Sequence, residues 1–178
     1  MQTQKMIEQT SAWVGQFIVK YNICPFARRE VEAQSIRYCV ATESTPASLL
    51  QSLLDECRYL DDQPLTETTL MIIPSGMEGF YDYLDLLSVA DQLLLEEGYE
   101  GVYQLASFHP DYCFDGVPQD DASNVTNRSP YPMFHIIREA SMEKALKNYK
   151  EPESIPDNNI RLTREKGSAF WQQLFHSL

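Results

Sequence analysis

Between Ile36 and Phe108 the chain alternates between two hydrophobic periods, and this alternation limits the fold more than any other feature. Ile36 to Ala41 has period-two, β-branched and aromatic character, as a strand does. Thr45-Pro46 then offers an N-cap and a first-turn proline. Leu49, Leu50, Leu53, Leu54, Cys57 and Leu60 follow on one helical face, and Asp61 to Pro64 stops it. Leu70-Met71-Ile72-Ile73 is continuously apolar and closed by Pro74, the pattern of a strand buried on both faces. A second helix is expected from Glu78 to Glu97, capped by Gly98, with Asp91 at the margin of its inward stripe. A third strand is expected from Val102 to Phe108.

Strand–helix–strand–helix–strand at these spacings predicts parallel pairing through crossovers. The expected class is α/β: one layered domain over residues 1–178, with a small, mostly parallel sheet, packed helices and a long ordered polar loop after the third strand. An N-terminal helix is expected from the stripe Ile7, Thr10, Val14, Phe17, Ile18 and Tyr21, ended by Asn22 and Pro25. Residues 148–159 read as a surface connection. One final helix is expected from Asn158 to His176, with Gly167 allowing close packing.

Composition excludes several partners. The 14 basic and 26 acidic residues give a net charge of -12, which argues against nucleic-acid backbones and anionic membranes. Met1 to Glu8 lacks a signal-peptide pattern, and no apolar run is long enough to cross a bilayer. Cys24, Cys39, Cys57 and Cys113 form no CxxC pair. The chain therefore reads as cytoplasmic with reduced thiols. Cys24-Pro25-Phe26-Ala27 superficially resembles a glutaredoxin turn. Here, however, the cysteine follows a helix, and Ala27 stands where a second cysteine would be.

The chemistry-bearing types concentrate between Gln104 and Arg138. Four of the ten prolines and two of the three histidines fall there, with Asp111, Asp115, Asp120 and Asp121. His109 to Pro132 has no helical or strand period, and in a compact domain such a stretch is functional or disordered. Its aromatics favour order, so Phe108, Phe114 and Tyr131 are expected to be mostly buried. In open α/β sheets ligands bind beyond the carboxyl ends of strands, where Thr42 to Ser44, Ser75-Gly76 and His109 would meet. A helix opened by Pro130-Tyr131-Pro132, with Met133, Ile137, Ala140 and Lys144 on one face, would carry His135 and Arg138 together on another.

The candidate catalytic residues are His109, His135 and Asp121, the histidines moving protons and the aspartate orienting one of them. The candidate ligand-binding residues are Asn127, Arg128, Ser129, Tyr131 and Arg138. Arg128 and Arg138 are the only cations between Glu78 and Glu139, which suggests a bidentate anion clamp, with Arg128 and His109 in one cavity. The structural alternatives are a histidine closing a strand and arginines tying loop carbonyls. Histidine and aspartate are suitable zinc, manganese or iron ligands, but the spacing matches no known motif, so no metal ligands and no cofactor are assigned.

Three segments also carry a resemblance. Asn22-Ile23-Cys24-Pro25-Phe26, Gln104 to Pro110 and Asn127-Arg128-Ser129-Pro130-Tyr131-Pro132-Met133-Phe134-His135 resemble a bacterial family known as domain of unknown function 1415. The resemblance spans nearly the whole chain and implies no established activity. The expected function is therefore a cytoplasmic enzyme acting on a small anionic metabolite by general acid/base chemistry, through hydrolysis or group transfer. The alternative is a non-catalytic binding or interaction protein whose loop is a rigid recognition surface. Convergence of His109, Arg128 and His135 on a pocket would favour the enzyme. The same residues spent on backbone carbonyls would favour the alternative.

Overall fold

The computed structural model describes residues 1–178. In chain order the elements are α1 (Gln2–Trp13), a π-helical turn (Val14–Val19), α2 (Ala27–Glu32), β1 (Ile36–Val40), α3 (Pro46–Asp62), β2 (Thr68–Ile72), α4 (Phe80–Glu96) and β3 (Tyr103–Phe108). A 3-10 turn (Ala122–Asn127), β4 (Met133–Arg138), α5 (Glu139–Lys147), a second 3-10 turn (Pro152–Ser154), α6 (Ile155–Lys166) and α7 (Ser168–His176) complete it. The Thr45 side chain caps α3 by accepting from Ser48 N–H, and Asn22 takes the left-handed conformation expected of it, with φ 54°. α2 has no buried residue, so its segment lacks the apolar stripe by which a helix is recognised.

The sheet order is β1-β2-β4-β3. β1 and β2 are parallel, and β4 is antiparallel to both β2 and β3. Three strands thus run the same way, and the fourth is inserted between β2 and β3, so β3 never pairs with β2. β4 corrects the helix expected after Pro132. Met-Phe-His-Ile-Ile-Arg is rich in aromatic and β-branched residues, and a central position pairs its backbone on both sides. The helical stripe through Met133 and Ile137 was a coincidence of spacing, and the helix begins only at Glu139. Pro132 precedes the strand, where its missing N–H costs no ladder bond, and its carbonyl accepts from Ile73 N–H at 2.9 Å.

Alternate residues of each strand feed two cores. Met71, Ile73, Phe134, Ile136 and Tyr103 pack with Leu49, Leu53, Leu60, Tyr83 and Leu94 of α3 and α4. Leu70, Ile72 and Met133 face Trp13, Phe17, Ile18 and Trp171 on the other side. The Tyr83 hydroxyl donates to Met133 C=O at 2.7 Å and accepts from Phe108 N–H at 3.1 Å, fixing the ends of β4 and β3 together.

The single terminal helix is also corrected. Gly167 (φ 78°, ψ 157°) breaks it into α6 and α7, and the helical part starts at Ile155. Nothing lies within 4 Å of a Cβ built at Gly167, so its glycine serves the backbone conformation and not close packing. The break lets Trp171 turn back into the core, where Nε1–H donates to Thr163 C=O at 3.0 Å and the indole meets Phe17 and Tyr21 edge-on.

Candidate functional site

Beyond the carboxyl ends of β1, β2 and β3 the expected segments do meet. Ser44 and Ser75 share a hydroxyl hydrogen bond of 2.7 Å, and His109 follows β3. A cavity of about 280 Å3 lies there, lined by Ser75, Glu78, His109, Asp111 and Tyr131 among others. Its histidine is committed. His109 is 0% exposed, and its Nδ1 accepts from Asp111 N–H at 3.0 Å. Nε2 therefore carries the hydrogen and donates to Met77 C=O at 2.9 Å. The ring lies 5.3 Å from Phe80 and 5.2 Å from Tyr83, an imidazole that closes a strand.

The expected clamp is not assembled. Arg128 Nε and Nη2 donate to the carbonyls of Tyr112 and Gln119 at 3.0 and 2.8 Å, across the long loop. Arg128 does not line the His109 cavity. Arg138 Nη2 donates to Leu60 and Thr66 carbonyls at 2.6 and 3.0 Å, closing the C-terminal end of α3. On a strand, positions 135 and 138 point to opposite faces, so His135 and Arg138 are separated by the sheet. Asn127 Nδ2 donates to Ser107 C=O at 3.0 Å, Ser129 Oγ to Tyr131 C=O at 2.6 Å, and the Tyr131 hydroxyl to Gln9 Oε1. Asp121 caps the 3-10 turn through Ser123 N–H and pairs through both oxygens with Arg164 at 3.1 and 2.9 Å. Arg164 first, then the Ser123 donors, hold its carboxyl well below the usual carboxylate range. These contacts order the loop, but Phe108, Phe114 and Tyr131 are only half-buried, not mostly buried as expected.

The principal opening lies elsewhere, beneath α1 and the π turn on the second face of the sheet. It is a cavity of about 720 Å3. Leu70, Ala106, Phe108, His135 and Ile137 form its floor. Trp13, Val14 and Ile18 form one wall, Phe114 and Val117 of the loop another, and Ile155 and Ile160 of α6 a third. Asn127 and His135 are the expected site residues that reach it. Its size and apolar lining are those of small-molecule pockets, which span ~300–1,000 Å3. It opens beside Ile160 and Arg164, both exposed.

The π turn belongs to this wall. Lys20 N–H bonds Gly15 C=O at 3.2 Å and Ile23 N–H bonds Ile18 C=O at 2.9 Å, each five residues back. Such turns are rare and concentrate at functional sites. The apolar stripe from Ile7 to Tyr21 gave the helix but not this change of pitch, because the hydrophobic positions suit either.

Most polar groups in the lining already have partners. Thr68, Thr126, Asn127 and Asn159 donate to main-chain carbonyls, and Arg164 is paired. His135 differs. Burial alone acts on its ring, pushing the pKa down to about 4, with no hydrogen bond from the protein in compensation. At neutral pH it therefore offers one N–H donor and one bare nitrogen acceptor to the cavity. The Phe108 ring centroid lies 6.0 Å away. Cys24 also lines the cavity, and burial pushes its thiol pKa up, the opposite of a reactive thiolate. No group of three or more His, Cys, Asp or Glu side chains is arranged to hold a metal. No helix is long and apolar enough to cross a membrane.

Fold and cavity thus define a helix-covered, four-stranded α/β protein with a large internal pocket. A family model described as protein of unknown function DUF1415 matches residues 5–173, and the chain belongs to that family. No curated protein and no solved structure matches it.

Proposed function

We propose that this protein binds a small, largely apolar molecule in the 720 Å3 cavity, with His135 as its hydrogen-bonding contact. The observation that carries this reading is the unpaired imidazole in an otherwise apolar lining. The ring is half-buried and its nitrogens are open to the cavity, so a ligand donor or acceptor can reach them. The π turn in the cavity wall supports the same reading.

An acid/base enzyme acting on an anionic metabolite has less support. Arg128, Arg138 and His109 are spent on main-chain groups, and Asp121 on Arg164, so no orienting carboxylate and no free guanidinium reach His135. The one observation in favour of catalysis is that a strongly shifted histidine faces a pocket. Without a second catalytic group, binding is the simpler use of that histidine.

The test is saturable binding of an uncharged apolar fluorophore, N-phenylnaphthylamine, to the parent protein and to Ala106→Phe. Ala106 lies on the cavity floor, and the larger ring would occupy it. The parent is expected to bind at one site and the variant at least about tenfold more weakly, with its fold retained by circular dichroism. Equal binding by both proteins, or none by the parent, would sink the proposal.

A further inference from the structure

We infer that the ligand is an uncharged phenol or aromatic alcohol, with its rings against the aromatic wall of the cavity and its hydroxyl hydrogen-bonded to His135. This rests on the reading of the cavity as a ligand site and adds the chemistry of the ligand's rings and polar group.

The wall offers no free charge of either sign. The charged residues that line the cavity are Glu30, Glu67 and Arg164. Arg164 donates through Nε and Nη2 to the two oxygens of Asp121. Glu30 accepts from the Ser35 hydroxyl at 2.6 Å through Oε2, and its Oε1 lies 3.7 Å from Arg29 Nε. Glu67 comes one residue before Thr68, whose side chain is on the cavity face, so strand alternation sends the Glu67 carboxylate to the other face. A carboxylate or an ammonium on the ligand would therefore lose its water without gaining a free counter-charge.

The neutral polar groups narrow the choice further. Thr68, Thr126, Asn127 and Asn159 already donate to main-chain carbonyls. The His135 ring is left, half-buried and uncharged at neutral pH, with one donor and one acceptor nitrogen. A hydroxyl suits either nitrogen, because it both donates and accepts, whereas a carbonyl can use only the N–H. Trp13, Phe26, Phe108 and Phe114 make the lining aromatic, and Trp13 and Phe108 already meet edge-on at 5.0 Å. Aromatic rings on the ligand would gain the same edge-to-face contacts. Phe108 lies 6.0 Å from the imidazole, so a ring resting on it brings a hydroxyl toward His135.

Biphenyl, para-phenylphenol, para-phenylbenzoate and para-phenylbenzylamine share two rings and differ in the polar group. Equilibrium dialysis at neutral pH and physiological salt measures the affinity of each. The parent protein is expected to bind para-phenylphenol at least about tenfold more tightly than the benzoate or the benzylammonium. His135→Leu should lower the affinity for para-phenylphenol at least about tenfold relative to that for biphenyl, because the hydroxyl loses its partner. His135→Gln keeps a donor and an acceptor and should restore most of that preference. In the parent protein, para-phenylphenol should shift the His135 ring-nitrogen resonances, and biphenyl should leave them nearly in place. Three results would each overturn the hydroxyl inference: a charged compound binding as tightly as the phenol, equal weakening of biphenyl and para-phenylphenol in His135→Leu, or ring nitrogens unmoved by the phenol. Biphenyl binding alongside any of them would leave the cavity reading intact. Failure of all four compounds to bind would remove both.

Discussion

Phe134 and His135 are neighbours on β4, point to opposite faces of one sheet and meet different surroundings. Phe134 is 0% exposed among Met71, Tyr83 and Ile136, beneath two long helices whose leucines fill the space. His135 faces a cavity of about 720 Å3 beneath a π turn, a loop and α6. Protein interiors are ordinarily packed to the density of organic crystals, so a void of this size is unusual. α3 and α4 cover the first face with 17 residues each, whereas shorter elements, the six-residue π turn and the 12-residue α6 among them, line the cavity on the second. The difference teaches that one sheet can be closely packed on one face and, beside a second core, leave a cavity on the other.

The largest effect should come from truncation on the filled face. Phe134→Ala is expected to cost about 3–5 kcal/mol, through lost transfer energy and a new void. His135→Ala removes little packing and should cost under about 1 kcal/mol. Urea unfolding of both variants checks this, and equal losses would mean that the second face is as tightly packed as the first.

The next effect is a pH dependence confined to the hollow face. His135 is held at about 4, below the ordinary histidine value of about 6.5, so the unfolded chain binds its proton first as pH falls. Its contribution is therefore complete above pH ~6.5 and is lost as pH falls toward ~4, on the order of 2–3 kcal/mol. Asp121 is also depressed, but its contribution is lost only below the ordinary carboxylate value of about 4. Stability measured between pH 7 and pH 4.5 should fall in the parent and stay flatter in His135→Phe. Identical slopes would show that water or another group already serves the ring.

The smallest effect concerns the helices closing the cavity. Gly167→Ala forces a side chain into a backbone region that glycine alone adopts readily, at a cost of about 1–2 kcal/mol. Trp171 fluorescence should shift as α7 loosens, with the α3–α4 side unchanged in amide exchange. Loosening on both sides would contradict the independence of the two faces.

Among these elements, the ones legible in the sequence are those whose residues carry their own local instruction. Thr45-Pro46 starts α3, Asn22 ends the N-terminal helix, Pro74 closes a doubly buried strand, and each acts through its own backbone preference or hydrogen bond. The order of the 109–132 loop was also foreseeable. Its large aromatics would be left in water by a disordered loop.

What the sequence left open was decided by partners distant in the chain. Met133 to Arg138 suits a helical stripe or a strand equally well, and the gap between β2 and β3 selected the strand. That choice sent His135 and Arg138 to opposite faces. Arg128 and Arg138 have the donors of an anion clamp, but the carbonyls they satisfy belong to Tyr112, Gln119, Leu60 and Thr66, whose proximity no spacing rule reports. The cavity is the extreme case: its walls come from α1, the π turn, the sheet, the loop and α6, each unremarkable alone. Residue identity sets which groups a chain can offer. Only packing decides which of them are consumed in holding the fold and which, like His135, are left facing open space.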